Sequence, residues 1–338
     1  MVFLTECRIC SSKKYDVLLE QSFQRPGAGT GNINGSQDSI IGENYVKIRL
    51  DILFNAILND NKLNFYDISI RKCKDCGFVY FTPCPDEADL IKKYSELEKK
   101  YSEIDRLTLA EKVSAKVMEL RQNRVYDLLA SSIPDFKKTQ RILDYGGYRG
   151  DNLKKFFNTH RCFVVDYVVD EYYKEIEYIK GDVSAIGNGI GFDIILLQHT
   201  LEHIFDPVGY LQKLSGLLNS HGVIYIEVPL GCFREYKSLA EPLTHINFFS
   251  EESLVECVNQ ANLKTIYLST DYQTVYNLSK TWCINLIAQK NNNHAVKIIP
   301  QKTDYQMQNW KYKVVYFTDI RKFPKRLRNL FNKTFKLL

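Results

Sequence analysis

The stretch Arg141–Asp151, RILDYGGYRGD, decides the fold of this chain. A short apolar run leads into Asp144, and Gly146, Gly147 and Gly150 follow. This order predicts a buried parallel strand, a glycine turn and a helix that begins near Gly150. Glycine lets the backbone turn tightly and approach a ligand, and the N–H groups of a helix start attract anions. Ligands bind outside the carboxyl ends of such strands, so we expect a ligand site beside Asp144.

The glycine loop by itself fits three interpretations: a dinucleotide-binding fingerprint, a loop for a methyl donor, or a plain turn between a strand and a helix. Its spacing, D-x-G-G-x-x-G, differs from the G-x-G-x-x-G of dinucleotide folds, which disfavours a nicotinamide cofactor. The residues that follow have to decide among the remaining interpretations.

From residue 141 the chain alternates strand patterns with helical patterns, which is typical of an α/β protein. The predicted fold is a doubly wound, seven-stranded Rossmann-like sheet. The predicted strands are 141–145, 162–167, 176–179, 192–198, 222–228, 263–269 and 282–288. The predicted helices are 150–158, 207–219 and 250–261, and helical patterns also fill 86–131.

Polar residues stand where several of these predicted strands end. Asp166 ends the second strand, where a carboxylate can accept both hydroxyls of a ribose. Asp182 and Val183 follow the third strand, and Gln198 and His199 follow the fourth.

Two C-x-x-C pairs, Cys7 with Cys10 and Cys73 with Cys76, indicate a metal site in the N-terminal part. Two intervening residues let both thiolates of a pair reach one tetrahedral ion. An odd total of nine cysteines argues against a disulfide framework. We therefore predict one structural Zn²⁺ held by all four thiolates, the alternative being four ordinary buried cysteines.

The order LDYGGYRG, VVD, GDV, FDIILLQHTLEHIFDP and GVIYIEVP resembles the class I S-adenosylmethionine-dependent methyltransferases over about residues 140–290. The cysteine pairs and the later PLTHINFFS are similar to a narrower group, the zinc-containing methyltransferases of sugar and surface-glycan pathways. The resemblance implies S-adenosylmethionine as the methyl donor and a small-molecule sugar or glycan as the acceptor.

The resemblance also implies roles for single residues at the donor site. Asp166 would bind the ribose, Asp182 and Val183 would lie beside the adenine, and Gln198 and His199 would lie beside the methionine portion. The donor loop itself would consist of Asp144, Gly146, Gly147 and Gly150.

Two histidines, His203 and His245, match residues that face the acceptor sugar in the narrower group. A hydroxyl needs a proton acceptor as it attacks, and neutral imidazole, with an ordinary pKa of about 6.5, suits that task near pH 7. His245 lies in a polar loop after the fifth strand, so we predict that it is the general base, with His203 as the second candidate. The alternative for each is a histidine whose hydrogen bonds serve the fold alone.

Departures from the narrower group bear on the reaction. Tyr148 replaces the middle glycine of the donor loop, which puts in question how closely the backbone wraps the donor. Thr244 replaces the acid that precedes the second histidine in the C-methyltransferases, whose further C-terminal domain is also expected to be missing here. These two differences favour O-methylation of a hydroxyl. Sugar C-methylation is the alternative, and nucleic-acid or protein methylation is a more distant one.

The basic excess of the chain lies at its C-terminus. Residues 321–338 hold seven Lys and Arg and no acid, so leaving them out changes the net charge from +5 to −2. A near-neutral body disfavours a nucleic-acid partner. From Pro324 onward apolar residues fall on one helical face, which predicts a helix that either contacts an anionic membrane surface or packs against protein.

Composition and targeting signals place the chain among ordinary globular proteins, with 45% hydrophobic and 25% charged residues. No apolar run reaches the ~18 residues of a membrane span, and the N-terminus does not resemble a signal peptide. We therefore predict a cytoplasmic protein, with membrane contact only through the tail, and leave its oligomeric state open. The predicted domains are a zinc-binding domain (1–85), a helical connection (86–135), the donor-binding methyltransferase domain (136–292) and a C-terminal extension (293–338).

Overall fold

The structure, a computed structural model, describes residues 1–27, 40–60, 62–103, 115–187, 189–231, 239, 241–274 and 280–291. The C-terminal extension with its predicted amphipathic helix lies outside the described residues. Within the described part, no helix is both long and apolar enough to cross a bilayer.

The helices and strands of the described chain follow one another in this order: β1 (Tyr15–Gln24), α1 (Ile40–Ile52), β2 (Phe65–Cys73), β3 (Val79–Thr82), α2 (Glu87–Glu103), α3 (Ala115–Ser132), β4 (Arg141–Tyr145), β5 (Arg161–Asp166), β6 (Ile176–Lys180), β7 (Phe192–Gln198), α4 (Pro207–Gly216), β8 (Leu218–Pro229), β9 (Asn247–Phe248), α5 (Glu251–Gln260), β10 (Leu263–Thr274) and β11 (Lys280–Lys290).

A seven-stranded sheet in the order β10-β11-β8-β7-β4-β5-β6 forms the larger part of the fold. Strands β4 to β8 pair in parallel, and β11 pairs antiparallel with both β8 and β10. All seven predicted strands are confirmed, with β8, β10 and β11 longer than expected. The central strand β7 is almost wholly apolar and buried because both faces of a parallel sheet are covered.

The strand order reverses between β4 and β7, which are neighbours in the sheet although β5 and β6 separate them in sequence. Chain segments that leave β4 and β7 turn to opposite sides at this point, so a crevice opens at the carboxyl ends of the two strands. The donor loop leaves β4 here, and the segment with His199 and His203 leaves β7.

The connections beside β4 and β5 differ from the predicted α-helices. The helix expected over 150–158 is a six-residue 3-10 helix, Asp151–Phe156, preceded by Gly150 in the left-handed region. The described residues between β5 and β6, and between β6 and β7, likewise form no α-helix. The expectation of an anion-attracting helix start after the donor loop was therefore wrong, because a short 3-10 turn aligns few peptide dipoles.

A second sheet of four antiparallel strands, in the order β1-β2-β3-β9, contains the N-terminal part of the chain. Its fourth strand, β9, comes from the segment after β8, about 165 residues beyond β3. The pairs Val79 with Phe248 and Tyr80 with Asn247 join the two strands. The cysteine-bearing region is thus attached by backbone pairing to the segment that follows His245, while the predicted domain limits stay a prediction.

Candidate functional site

The donor loop, residues 145–150, is held in conformations that favour glycine. Gly146 and Gly150 have φ angles of 74° and 80°, and Tyr148 between them has a φ of 49°. Tyr148 therefore adopts the left-handed conformation without being glycine, and its N–H donates to Asp166 Oδ2 at 3.0 Å. A Cβ on Gly146 would lie 2.8 Å from Thr200 Oγ1, so the loop passes close to the segment after β7. The substitution of tyrosine for the middle glycine leaves the turn intact.

Asp144 lies beneath the donor loop and is 1% exposed. Asn152 Nδ2 donates to its Oδ2 at 3.0 Å, and a Cβ on Gly147 would come within 2.5 Å of the same oxygen. Burial raises the pKa of Asp144 to about 7. Asp144 thus supports the loop from below, and Gly147 is required for their close packing.

A cleft of about 250 Å³ opens at the switch point and extends from the donor loop to α2. Four of the predicted site residues line it: Gly146, Asp166, His199 and His203. The other predicted residues lie outside its lining: Asp144, Gly147, Gly150, Asp182, Val183, Gln198 and His245. The cleft therefore joins part of the predicted donor site to one of the two acceptor-side histidines.

Asp166 lines the cleft at the end of β5. Its two oxygens accept hydrogen bonds from the backbone N–H groups of Tyr148 (3.0 Å) and Val168 (3.2 Å). Burial raises its pKa despite these bonds. A carboxylate has about four acceptor positions, so both oxygens can accept further donors from the cleft.

The remaining residues predicted for the donor lie in local structure near the same edge. Asp182 precedes the 3-10 turn Val183–Ala185 and accepts from the backbone N–H of Ser184 at 2.8 Å. Val183 packs against the main core. Gln198 is 4% exposed at the end of β7, and neither of its amide atoms has a hydrogen-bond partner among the described residues. The Gln198 amide is thus a buried polar group whose donor and acceptor atoms can still form hydrogen bonds at the end of β7.

Glu227, near the end of β8, is fully buried and collects three cationic partners. Arg121 Nη2 lies 2.8 Å from its Oε1 and Arg124 Nη2 lies 2.5 Å from its Oε2, both from α3. His199 Nε2 lies 3.1 Å from Oε1. Burial alone would raise the pKa of Glu227, but Arg121 and His199 hold it far below its ordinary value. Glu227 is therefore a carboxylate anion inside the protein.

His199 lies between two buried carboxylates. Besides Glu227, its Nδ1 lies 3.3 Å from Glu202 Oε1. Burial would lower the pKa of His199, but hydrogen bonds with Cys283, Glu202 and Glu227 raise it well above its ordinary value. The two carboxylates therefore favour the charged imidazolium form of His199.

Glu202, His203 and His245 form a cluster that contains both histidines predicted for the acceptor, with their ligand atoms within 4.8 Å of one another. The rings of His203 and His245 have centroids 5.0 Å apart, and His203 Nε2 lies 3.8 Å from Glu202 Oε1. A hydroxyl group or a cation at their centre could contact all three side chains. The structure thus adds a carboxylate, Glu202, to the two histidines that the sequence analysis predicted for the acceptor.

The charge states of this cluster follow from burial and neighbours. Burial lowers the pKa of His203 to about 3 and lowers that of His245. Burial would raise the pKa of Glu202, but its hydrogen bond with His199 and the nearby histidines lower it to about 2. His203 Nδ1 shares a hydrogen bond with the carbonyl oxygen of Thr244, which can only accept. His203 is thus neutral with its proton on Nδ1, and its Nε2 keeps a lone pair that faces Glu202.

Side chains of the helices α1 and α2 contact the segment that carries His245. Lys93 of α2, 2% exposed, donates from Nζ to the carbonyl oxygen of Leu243 at 3.0 Å. Arg49 of α1 lies 3.4 Å from Glu241, whose Oε2 accepts from the N–H of Leu243 at 2.6 Å. Burial lowers the pKa of Lys93 to about 7. These contacts fix the turn before His245 although it lies in a loop.

The four predicted metal ligands meet in the structure, and we call them the cysteine cluster: Cys7, Cys10, Cys73 and Cys76. The Sγ atoms of Cys7 and Cys76 are 3.6 Å apart and those of Cys10 and Cys73 are 3.5 Å apart. Four sulfurs at ~2.3 Å from a tetrahedral zinc ion would be about 3.8 Å apart. The spacing therefore fits a four-thiolate metal site.

Sequence reasoning missed two residues that organise the site, Glu202 and Glu227. A signal was present for Glu227, since it stands between Ile226 and Val228 in a strand that is otherwise apolar. A charge in such a strand has to find a partner, which implies a buried ion pair. For Glu202, the sequence shows only an acid between two histidines and cannot show that all three side chains converge.

Comparisons with known proteins give one family match, over residues 117–268, to a family model described as a methyltransferase domain. No protein of curated function matches the chain. This family match includes the donor loop and both acceptor-side histidines.

Similar solved structures include 1,6-didemethyltoxoflavin-N1-methyltransferase of Burkholderia thailandensis, bound to 1,6-didemethyltoxoflavin and S-adenosylhomocysteine. It is 17% identical, with a TM-score of 0.47 over 65% of this chain and 98% of its own. The N-methyltransferase NodS of Bradyrhizobium japonicum, in complex with S-adenosylhomocysteine, is 14% identical, with a TM-score of 0.42 over 58% of this chain and 97% of its own.

Replacing Glu227 by Gln should destabilise the protein strongly, because Arg121 and Arg124 would lose their buried counter-charge. Breaking a buried ion pair from one side costs about 3–5 kcal/mol. The measurement is the free energy of unfolding in urea. The matched control is Glu177→Gln, which removes the exposed pair with Arg161 and should cost less than about 1 kcal/mol. Equal effects of the two substitutions would contradict the role assigned to Glu227.

Proposed function

We propose that this chain, an S-adenosylmethionine-dependent methyltransferase, methylates a hydroxyl group of a sugar or glycan, with a neutral histidine as the proton acceptor. The observation that carries the proposal is that Gly146 and Asp166, predicted for the donor, and His203, predicted for the acceptor, line one cleft. We call the part beside Gly146 and Asp166 the donor end and the part beside His203 the acceptor end, so that a donor and an acceptor bound there would meet inside that cleft.

The residues at the donor end fit the methyl donor. Asp166 retains acceptor positions for the two ribose hydroxyls, and the Gln198 amide has no partner among the described residues. The close packing of Gly146 against Thr200 lets the backbone approach a ligand. When bound, S-adenosylmethionine supplies an electrophilic methyl group on a sulfonium sulfur.

The acceptor end supplies a place for the proton. As the acceptor oxygen forms a bond to the methyl carbon, the carbon–sulfur bond breaks and its electron pair stays on sulfur. The oxygen becomes an oxonium, whose proton is strongly acidic, so a weakly basic imidazole can accept it. Nε2 of His203 has the free lone pair, and Glu202 at 3.8 Å would stabilise the imidazolium that results.

His203 takes precedence over His245 in this proposal. His203 lines the cleft, whereas His245, whose ring centroid is 5.0 Å from that of His203, is not among the residues that line it. The sequence prediction placed the base at His245, and the side-chain geometry favours the second candidate. His245 then completes the contact surface around the acceptor hydroxyl.

The lining of the cleft suits a polar ring. The rings of Tyr94 and Tyr167 stack at 5.8 Å and both line the cleft. Glu87, Asp206 and Lys213 add charged groups to the same lining. Aromatic faces combined with hydrogen-bonding side chains are what a molecule with an apolar ring face and several hydroxyls requires, which supports a sugar over a purely apolar acceptor.

We also propose that the cysteine cluster holds one structural Zn²⁺. Its four thiol groups belong to two separate C-x-x-C turns, and their sulfur atoms lie within 4.8 Å of one another. The hydrogen bond from Cys76 lowers the pKa of Cys7 to about 5, so a thiolate forms readily in this cluster. A closed four-thiolate site leaves no position for a substrate, so the ion would serve structure.

Zinc content can be measured directly by elemental analysis of freshly purified protein, and we expect one ion per chain. Cys73→Ser should lower it strongly because a thiolate ligand is lost. Cys84→Ser is the matched control, since Cys84 is buried in the same part of the protein but is not among the four clustered cysteines. Zinc-free wild-type protein, or equal zinc content in the two variants, would contradict the assignment.

Donor binding should depend on Asp166. Asp166→Ala should weaken binding of S-adenosylhomocysteine about 10- to 150-fold, because losing hydrogen bonds to a charged group costs about 1.5–3 kcal/mol. Calorimetric titration measures the change. Asp170→Ala is the control, since Asp170 pairs with Arg149 and does not line the cleft. Unchanged affinity of Asp166→Ala would mean that the donor binds elsewhere.

Turnover should depend on His203. With a panel of nucleotide sugars as acceptors and S-adenosylhomocysteine formation as the readout, His203→Asn should lower kcat by roughly 10²–10⁴. His245→Asn should lower it less, and the exposed His221→Asn should not change it. S-adenosylhomocysteine affinity should stay within about twofold in all three variants. A His203→Asn enzyme with wild-type kcat would exclude His203 as the proton acceptor.

The pH dependence of kcat/KM gives a second measurement on the same residue. The charged and titratable groups that act on His203 are Glu202, His245 and Lys93, and His199 and Glu241 act on the neighbouring His245. A base acts in its neutral form, which persists above its pKa, so a pKa lowered to about 3 keeps His203 active as the pH falls through 6.5. We expect no loss of kcat/KM between pH 8 and about 5.5, whereas an ordinary histidine would give a half-maximum near pH ~6.5.

A further inference from the structure

We propose that Arg8 is a positioning residue that connects the cysteine cluster to the two acceptor-side segments, so that the cluster sets the geometry of His203 and His245. We call residues 199–206 and 241–247 the histidine segments. The proposal gives the N-terminal region a part in the active site in addition to its own folding. It rests on the proposed role of the histidines at the acceptor end.

The contacts of Arg8 carry the proposal. Arg8 stands between Cys7 and Cys10, and its guanidinium reaches out of the turn to both histidine segments. Its Nη1 donates to the carbonyl oxygen of Phe205 at 2.7 Å. Its Nη2 donates to the carbonyl oxygen of Ile246 at 3.0 Å and to Oδ1 of Asn247 at 2.7 Å. One side chain thus bridges residues next to both histidines.

The two histidine segments also bond to each other around this bridge. The N–H of Ile246 donates to the carbonyl oxygen of Glu202 at 3.1 Å. The side chain of Asn247, 2% exposed, donates from Nδ2 to the carbonyl oxygens of Leu201 (3.0 Å) and Ile204 (2.7 Å). Asn247 can do this because Arg8 occupies its amide oxygen and so orients the amide group. Loss of Arg8 would therefore also disturb the hydrogen bonds from Asn247 to Leu201 and Ile204, in which Arg8 takes no direct part.

The second C-x-x-C turn, Cys73–Cys76, is connected to the segment after His245 through the residues that follow the turn. Directly after Cys76, Phe78 packs on Phe249 with ring centroids 5.3 Å apart, and β3 pairs with β9 at Tyr80 and Asn247. Both C-x-x-C turns thus contact the segment that follows His245. An ion that holds the two C-x-x-C turns together would therefore also hold residues 241–247 against residues 199–206.

The chemistry of arginine suits the position better than any other side chain. A planar guanidinium presents several donors in a fixed fork, so it can satisfy three acceptors from two segments at once. Lysine carries a single ammonium group and cannot span the same acceptors.

The experiment is a comparison of imidazole signals in long-range ¹H–¹⁵N spectra of the full chain, loaded with one zinc ion, in wild type, Arg8→Met, Arg8→Lys and Arg71→Met. Arg71 is the matched control, because it is an arginine of the neighbouring strand β2 that likewise donates to a backbone carbonyl oxygen, that of Leu4, away from the histidine segments. Signals are assigned with the His→Asn variants.

We expect Arg8→Met to shift the signals of His203 and His245 and to leave those of His160 and His221 in place. Arg8→Lys should shift them less, and Arg71→Met should not shift them. Zinc content and S-adenosylhomocysteine affinity should stay within about twofold of wild type, because the donor loop and the thiol ligands are not touched. With an accepted nucleotide sugar, kcat should fall about 10- to 100-fold in Arg8→Met.

The proposal is overturned if Arg8→Met leaves the His203 and His245 signals unchanged, or shifts them no more than Arg71→Met does. If Arg8→Met does not fold, the same two outcomes are judged on Arg8→Lys. The spectra need no acceptor, so they test the position of the histidines alone. Full turnover in His203→Asn and His245→Asn would remove the proposed function and leave the spectroscopic result standing as a structural one.

Discussion

The site depends on the buried carboxylate of Glu227. Within a parallel sheet a carboxylate without partners would be unstable, so Glu227 draws Arg121 and Arg124 from α3 and His199 from the segment after β7. His199 is then a cation, and its positive charge stabilises the ionised carboxylate of Glu202. Charges of alternating sign therefore run from a helix on one face of the sheet to the acceptor-side histidines. The charge states of Glu227, His199 and Glu202 are therefore each set by the neighbouring charged group.

This arrangement gives His199 and His203 different charge states, a difference that the sequence does not show. His199 lies between two carboxylates, so its pKa is raised and it carries a charge. His203, four residues later, has one carboxylate at 3.8 Å and is otherwise enclosed, so its pKa is lowered and it is neutral. A charged imidazole can only donate and attract, whereas a neutral one can accept a proton. The environment divides the chemistry between them.

The small N-terminal sheet is joined to the larger fold at the point where the acceptor would bind. Strand β9 pairs with β3, and Lys93 of α2 donates to the turn before His245. Loops with few contacts of their own are mobile, and a reacting group has to be held to well under 1 Å. Contacts from a region far away in sequence supply this rigidity, and α2 also contributes Tyr94 to the lining of the cleft.

Local patterns determined much of this protein. The apolar runs and glycine turns predicted all seven strands of the large sheet, because burial on both faces of a parallel strand leaves a direct mark on the residues. The C-x-x-C spacing predicted which four cysteines meet, since tetrahedral ligation restricts the spacing. The expected helix after Gly150 was wrong, because a six-residue 3-10 turn leaves no distinct periodicity.

Only the tertiary structure decided which polar residues share one environment. His203 lines the cleft and His245 does not, and Glu202 and Glu227 surround them with charge, because segments about 40 residues apart in the chain are packed together. The pKa of a group depends on burial and on charges within a few ångströms, and these are properties of the folded chain. Residue types and spacing identified the chemistry available to this protein, and the packing of distant segments assigned it to particular atoms.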